Sequence, residues 1–231
     1  MVILQEIEIS PKEQCPYLAD ERQMLEYFYA IDVTAEELDG LLEGGWRKFG
    51  VYYFRPVCCG CNKCVSIRIP VKSFIFSKSL RRIFKKNAHT EVTFSPLIFD
   101  EEIFDIYREH SLVRFGMDTE LENFISAYYL PSCPSIQSEY RVDEKLFAVG
   151  FLDVAARGFS SVYFVYRPQY SHLRPGIFSI MREVAHAAEL GLEYYYLGYW
   201  VEGNLRMEYK NSFAGSEKHD RERGVWSTEG S

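Results

Sequence analysis

The chain has 231 residues, 47% of them hydrophobic and 16% aromatic, and carries a formal net charge of −7 at pH 7. That length and apolar content support a packed core and exclude a disordered polymer, and no run approaches the roughly 18 uninterrupted apolar residues of a membrane span. Six cysteines in a chain of this length exclude a disulfide-stapled scaffold.

Met1 to Ser10 carries Glu6 and Glu8 where a secretion signal needs a basic and then an apolar run, so the expected location is the cytoplasm. Thr34 to Leu42 is predicted as a helix: Thr34 is a capping residue, Glu36 and Glu37 occupy the first turn, and Gly44-Gly45 follows as a stop signal. From Gly44 to Thr90 the chain has no acidic residue, eleven Lys or Arg and four of the six cysteines; outside that block 15 basic residues face 33 acidic ones. A positive field segregated in this way matches a polyanion better than it serves solubility, which intermixed signs would provide. Within the block, Val51 to Phe54 and Val65 to Ile69 read as strands, so Cys58, Cys59, Cys61 and Cys64 fall in the connector between them.

From Ser77 the period changes. Leu80, Ile83 and Phe84 recur at helical spacing, with Lys78, Arg81, Arg82, Lys85 and Lys86 on the other side. Five cations on one face repel one another, and phosphate contacts would offset that repulsion; a merely solvated face is the alternative. The acidic part follows, with a strand at Val92 to Phe94 and a helix from Asp100 to His110. Leu146 to Phe151 and Ser160 to Tyr166 are predicted as a hairpin joined through Arg157-Gly158. Ile177 to Leu190 reads as an amphipathic helix closed by Gly191, and Tyr194 to Trp200 as another strand. The expected class is α+β, with a mixed sheet in residues 91–214 and a smaller cysteine-containing α/β domain in residues 1–90. Residues 215–231, polar and nearly without apolar periodicity, are expected to form a poorly ordered tail.

Three separated motifs carry a resemblance. Arg55-Pro56-Val57-Cys58-Cys59-Gly60-Cys61-Asn62-Lys63-Cys64-Val65-Ser66-Ile67-Arg68, then Ser77-Lys78-Ser79-Leu80-Arg81-Arg82, resembles the amino-terminal signature of the arginyl- and leucyl-tRNA-protein transferases. Leu197-Gly198-Tyr199-Trp200, then Arg206-Met207-Glu208-Tyr209-Lys210 and Phe213, is similar to that family's carboxy-terminal signature, and Cys15-Pro16-Tyr17-Leu18 to its opening. The resemblance implies an enzyme that takes leucine or arginine from a charged tRNA and adds it to a protein amino terminus beginning with Asp or Glu, creating an N-degron. It also implies a GNAT-like acyltransferase architecture for the carboxy-terminal part. The implied partners are aminoacyl-tRNA and acidic protein amino termini, with neither membrane nor DNA, and no cofactor is required. The chain departs from the family pattern at Arg167-Pro168, Arg174-Pro175-Gly176, Gly203-Asn204 and Phe213-Ala214-Gly215, which bears on substrate choice.

Aminolysis of an activated ester needs orientation, a route for the amine proton and stabilisation of an oxyanion. An α-amino pKa of about 7.7 to 8.0 leaves a neutral fraction at cellular pH, so a modest base suffices. Tyr199 and Glu202 are the candidates for positioning and proton relay, and Lys210 for neutralising negative charge. An acidic acceptor residue needs a cation, with Arg55, Arg68, Arg81 and Arg82 as candidates, while Asp118 in Gly116-Met117-Asp118 either contacts substrate or caps the next helix. Cys15, Cys58, Cys61 and Cys64 have two readings: ligands of zinc or an iron-sulfur cluster, or free thiols in a tight turn. The five histidines show no paired ligand spacing. Two rival functions stand beside the main one. An acetyl-CoA-dependent acetyltransferase needs a glycine-rich pyrophosphate loop, which His172-Leu173-Arg174-Pro175-Gly176 does not supply. A non-catalytic RNA-binding or metal-sensing module leaves Leu197 to Lys210 without a role.

Overall fold

The computed structural model describes residues 1–228. Its first half runs β1 (Val2–Ile9), β2 (Glu13–Gln14), β3 (Arg22–Gln23), β4 (Leu25–Ile31), α1 (Ala35–Glu43), β5 (Arg47–Phe49), β6 (Tyr52–Pro56), β7 (Cys64–Pro70), α2 (Lys78–Lys86) and β8 (Glu91–Pro96). The second half runs α3 (Glu101–Phe115), α4 (Leu121–Tyr128), β9 (Ser135–Val142), β10 (Lys145–Val154), β11 (Gly158–Tyr166), α5 (Pro175–Glu189), β12 (Tyr194–Val201), β13 (Glu217–Asp220) and β14 (Val225–Ser227).

Local signals place the helices. Thr34 and Glu37 form a reciprocal capping box at the start of α1, Ser77 accepts from the Leu80 N–H at the start of α2, and Asp100 accepts from the Glu102 N–H at the start of α3. α3 runs five residues past its expected end and stops where Gly116 takes φ +68°.

The strands form a four-stranded antiparallel sheet, ordered β1-β4-β6-β5, and an eight-stranded mixed sheet, ordered β14-β13-β7-β12-β11-β10-β9-β8; β2 and β3 pair with each other. β10 is buried along almost its whole length because helices cover both faces of the large sheet. On one side, Phe147, Phe159, Met181 and Tyr195 pack with Leu80 and Ile83 of α2. On the other, Val149, Phe151 and Val165 pack with Ile103 and Ile106 of α3 and Phe124 of α4. A third cluster, Phe28, Leu38, Leu42, Trp46 and Tyr53, joins α1 to the inner face of the small sheet.

Several expectations take a different form. The cysteine connector, residues 57–63, joins strands of two different sheets. β7, grouped above with residues 1–90, pairs with β12 inside the large sheet. The stretch expected as a tail holds a hairpin through its described residues: β13 pairs with β7 and β14, and the Trp226 indole N–H donates to the Glu43 carbonyl at 3.1 Å. A half-buried anchor and a free strand edge order this polar segment; residues 229–231 lie outside the described part.

Candidate active site

β11 and β12 are parallel, and they pair only where Gly158–Ser160 faces Tyr194–Tyr196. Beyond that point the register of β12 on β7 slips at Leu197, and that of β11 on β10 slips at Val162. Gly198 takes φ +83° at the first slip, a conformation open to glycine. Where the pairing stops lies a cavity of about 470 Å³, lined by Ser161 and Tyr163 of β11, Leu197 to Tyr199 of β12 and the amino end of α5.

Two cations meet at the loosened strand ends. Arg47 of β5 donates from Nη1 to Ser160 Oγ at 2.9 Å and from Nη2 to the Ser161 carbonyl oxygen. Lys210 donates from Nζ to the carbonyl oxygens of Leu197 at 2.7 Å and Tyr199 at 3.1 Å. A Cβ on Gly198 would lie 3.3 Å from Arg47 Nη2 and 3.4 Å from Lys210 Nζ, so the glycine leaves room for both. Burial pushes the Arg47 guanidinium below its usual range. Burial first, and then the Arg47 charge, push Lys210 down to about 7. Their hydrogen-bond partners are neutral, and the nearby Asp153 is taken by Lys48 at 2.9 Å in a buried ion pair. Among the described residues, Arg47, Lys48, Arg114, Arg174, Arg206 and Lys210 line the cavity, and no Asp or Glu does.

The separated motifs converge here. Tyr17, Gly198, Tyr199, Arg206, Met207, Tyr209 and Lys210 all line the cavity, and Asn204 Nδ2 ties the carboxy-terminal segment to the Tyr17 carbonyl at 2.9 Å. Tyr199 donates its hydroxyl proton to the Gly45 carbonyl at 2.8 Å, and burial raises its pKa, so it holds its proton. Glu202 is exposed on the turn after β12 and does not line the cavity.

The arginines expected at the acceptor lie elsewhere. Arg55 donates to Glu26 at 2.5 Å and packs over Trp46. Arg68 bridges Glu43 at 2.6 Å and Glu217 at 2.7 Å, between the rings of Tyr194 and Trp226. Asp118 pairs with Arg108 at 3.2 Å and accepts from the Thr119 N–H, which with the Arg108 charge holds its carboxyl below the usual range. On α2, Lys78, Arg81, Arg82, Lys85 and Lys86 are all exposed, with no carboxylate partner among the described residues. The Asn87 side chain at the end of α2 donates to the Leu173 carbonyl at 3.0 Å, which fixes the helix beside the loop that carries Arg174.

The cysteines are free thiols, and Cys58 exchanges hydrogen bonds with the Met24 backbone. Burial, reinforced by Cys58, Cys15 and Cys61, pushes the Cys64 thiol up to about 12. Among the described residues, no three His, Cys, Asp or Glu side chains are grouped to hold a metal ion, although Cys15, Cys58 and Cys61 lie near enough to Cys64 to act on its thiol.

Sequence reasoning missed Arg47, Arg114 and Arg174. Arg47 was one cation among eleven in the basic block, and its position depends on contacts more than 100 residues away. Arg174, at φ +55°, lay within a noted departure from the family pattern, and its strained backbone is the kind of feature that marks a site.

A sequence-family model described as arginine-tRNA-protein transferase, C terminus, matches residues 77–220, and its N-terminus counterpart matches residues 13–82. The chain is 31% identical over 220 residues to an aspartate/glutamate leucyltransferase of Campylobacter jejuni strain RM1221, covering 89% of each. It is 30% identical over 219 residues to the Helicobacter hepaticus protein of the same name, covering 88% of each. The Leptospira interrogans serovar Lai protein of that name is 32% identical over 210 residues, covering 87% of this chain and 82% of that one. The crystal structure of FemX superposes with a TM-score of 0.51 at 10% identity, covering 78% of this chain and 65% of that chain. The chain spans 54% of the C-terminal domain of a putative lysylphosphatidylglycerol synthetase from Agrobacterium fabrum, with a TM-score of 0.47. The fold is the GNAT-like acyltransferase architecture expected above.

Proposed function

The chain belongs to the arginine-tRNA-protein transferase family, and from that premise we propose that it moves leucine from charged tRNA to the α-amino group of a protein beginning with Asp or Glu, creating an N-degron. The reading rests on the charge of the cavity: among the described residues six basic side chains line it, Lys48 of them already paired with Asp153, and no Asp or Glu does. An arginine donor would place its guanidinium beside cations with no carboxylate to accept it, whereas a leucine side chain meets apolar wall from Phe49, Val162, Ile180 and Met207. The acceptor's carboxylate meets Arg47 and Lys210, which have only neutral partners.

The neutral acceptor amine attacks the ester carbonyl carbon, the new C–N bond forms, the C–O bond to ribose breaks, and the proton given up by the amine nitrogen passes to the ribose oxygen. Tyr199, its hydroxyl tied to Gly45, orients the cavity wall, and Lys210 faces the developing negative charge. The exposed cations of α2, continued by Arg174 at the cavity, form the track for the tRNA backbone. Glu202, Arg55, Arg68 and Asp118 receive no step.

The test is to incubate the protein with labelled leucyl-tRNA or arginyl-tRNA and peptides that differ only in their first residue. Leucine is expected to transfer to Asp and Glu peptides, with arginine slower by at least about 100-fold. Arginine transferred equally well would overturn the donor assignment, and transfer from neither donor would overturn the reading as a whole.

A further inference from the structure

The small sheet has one face packed on the core through Phe28, Ala30 and Tyr53, and a second face with a use of its own. Two cross-strand rows occupy that second face. One runs Glu8, Tyr27, Phe54, Arg47, and the other runs Gln5, Tyr29, Tyr52, Phe49. The rings form a continuous ladder: Tyr29 to Tyr52 at 5.3 Å, Tyr27 to Tyr52 at 5.5 Å, Tyr52 to Phe54 at 5.4 Å and Phe54 to Phe49 at 5.8 Å. Phe54 reaches Tyr199 at 6.5 Å, and Phe49, Phe54 and Tyr199 line the cavity. None of the five ladder rings belongs to a core cluster and none is fully buried.

We propose that this aromatic face holds the polypeptide of the acceptor protein beyond its first residue, an inference that rests on the proposed acceptor reading. Continuity comes from Arg47, which ends one row and enters the cavity, so a chain whose first carboxylate sits on Arg47 has Phe54, Tyr52 and then Tyr27 or Tyr29 ahead of it. Charge separates polypeptide from RNA as the occupant. Glu8 accepts from the Tyr27 hydroxyl at 2.9 Å, the charge of Glu13 reaches Tyr52, and β1 and β4 contain no Lys or Arg. Phosphodiesters would be repelled where an uncharged peptide backbone is not. Crossing the three strand spacings, about 14 Å, takes roughly four extended residues. Tyrosines provide broad apolar contact and hydroxyls without demanding a particular sequence, which suits acceptors that share only their first residue.

The experiment measures kcat/KM for leucine transfer to an Asp-initiated dipeptide amide and to a decapeptide with the same start, using the full chain and its Tyr52→Ser and Tyr29→Ser variants. The wild type is expected to favour the decapeptide by about tenfold. Each variant should lose that advantage while keeping dipeptide transfer, melting temperature and tRNA affinity, and either folded variant suffices. Equal wild-type use of both lengths, or equal losses on both peptides, would overturn the inference while leaving the parent reading intact. Loss of tRNA affinity would assign the face to RNA and overturn it too. Wild-type transfer to neither peptide would overturn the parent reading and this inference together.

Discussion

Glu183 of α5 is almost fully buried, and its carboxylate accepts from Ser138 Oγ at 2.9 Å, Tyr140 Oη at 3.2 Å and Tyr195 Oη. Gly150 leaves the space, since a Cβ there would stand 2.6 Å from Glu183 Oε1. Burial raises the carboxyl from 4.5 to about 7, against the lowering effect of its three donors. Between those values the folded state binds more protons than the unfolded state. Stability therefore falls as pH rises from 4.5 through 7 and is level above it, by on the order of 3 kcal/mol. Glu183→Gln should flatten that slope, read as melting temperature at pH 5 and pH 8; parallel curves for variant and wild type would contradict it. At this scale Lys210 and Tyr199 were legible because they stand in a motif, whereas Arg47 was not, because nothing local separates it from Lys48, whose charge faces Asp153 instead.

Elements with short-range codes were legible. The Thr34 cap of α1, the helical spacing of Leu80 and Ile83 in α2 and the β10–β11 hairpin depend on residues a few positions apart. β1 and β4 were not, because β1 is exposed along nearly all its length and carries no clear alternation of burial. The β13–β14 hairpin was hidden in a polar sequence whose anchor, Trp226, packs on Arg68 at 4.3 Å only after the sheet has formed. α2 carries the clearest functional prediction among the elements. With its cations exposed and without carboxylate partners among the described residues, Arg81→Glu with Arg82→Glu should weaken tRNA binding by at least about tenfold at 100 mM salt and reduce its salt slope. Unchanged binding isotherms across a salt series would remove the helix from the RNA track.

At the scale of the molecule, the basic block divides into separate uses. Lys48, Arg55 and Arg68 are spent on carboxylates, Arg47 enters the cavity, and the α2 cations face solvent. The linear charge pattern therefore pointed to a polyanion without showing which cations remained available to meet it. The expected division at residue 90 gave two halves, yet β7 lies between β12 and β13, so the large sheet draws on both. The cavity arises from that joining: β5 of the small sheet delivers Arg47 to strand ends of the large one. The most direct test of the central claim is kcat/KM for leucine transfer to peptides beginning with Asp and with Asn, in the wild type and in Lys210→Met. The wild type is expected to prefer Asp by about 100-fold, a preference reduced at least tenfold in the variant. Equal wild-type rates on the two peptides, or a preference untouched by the substitution, would contradict it.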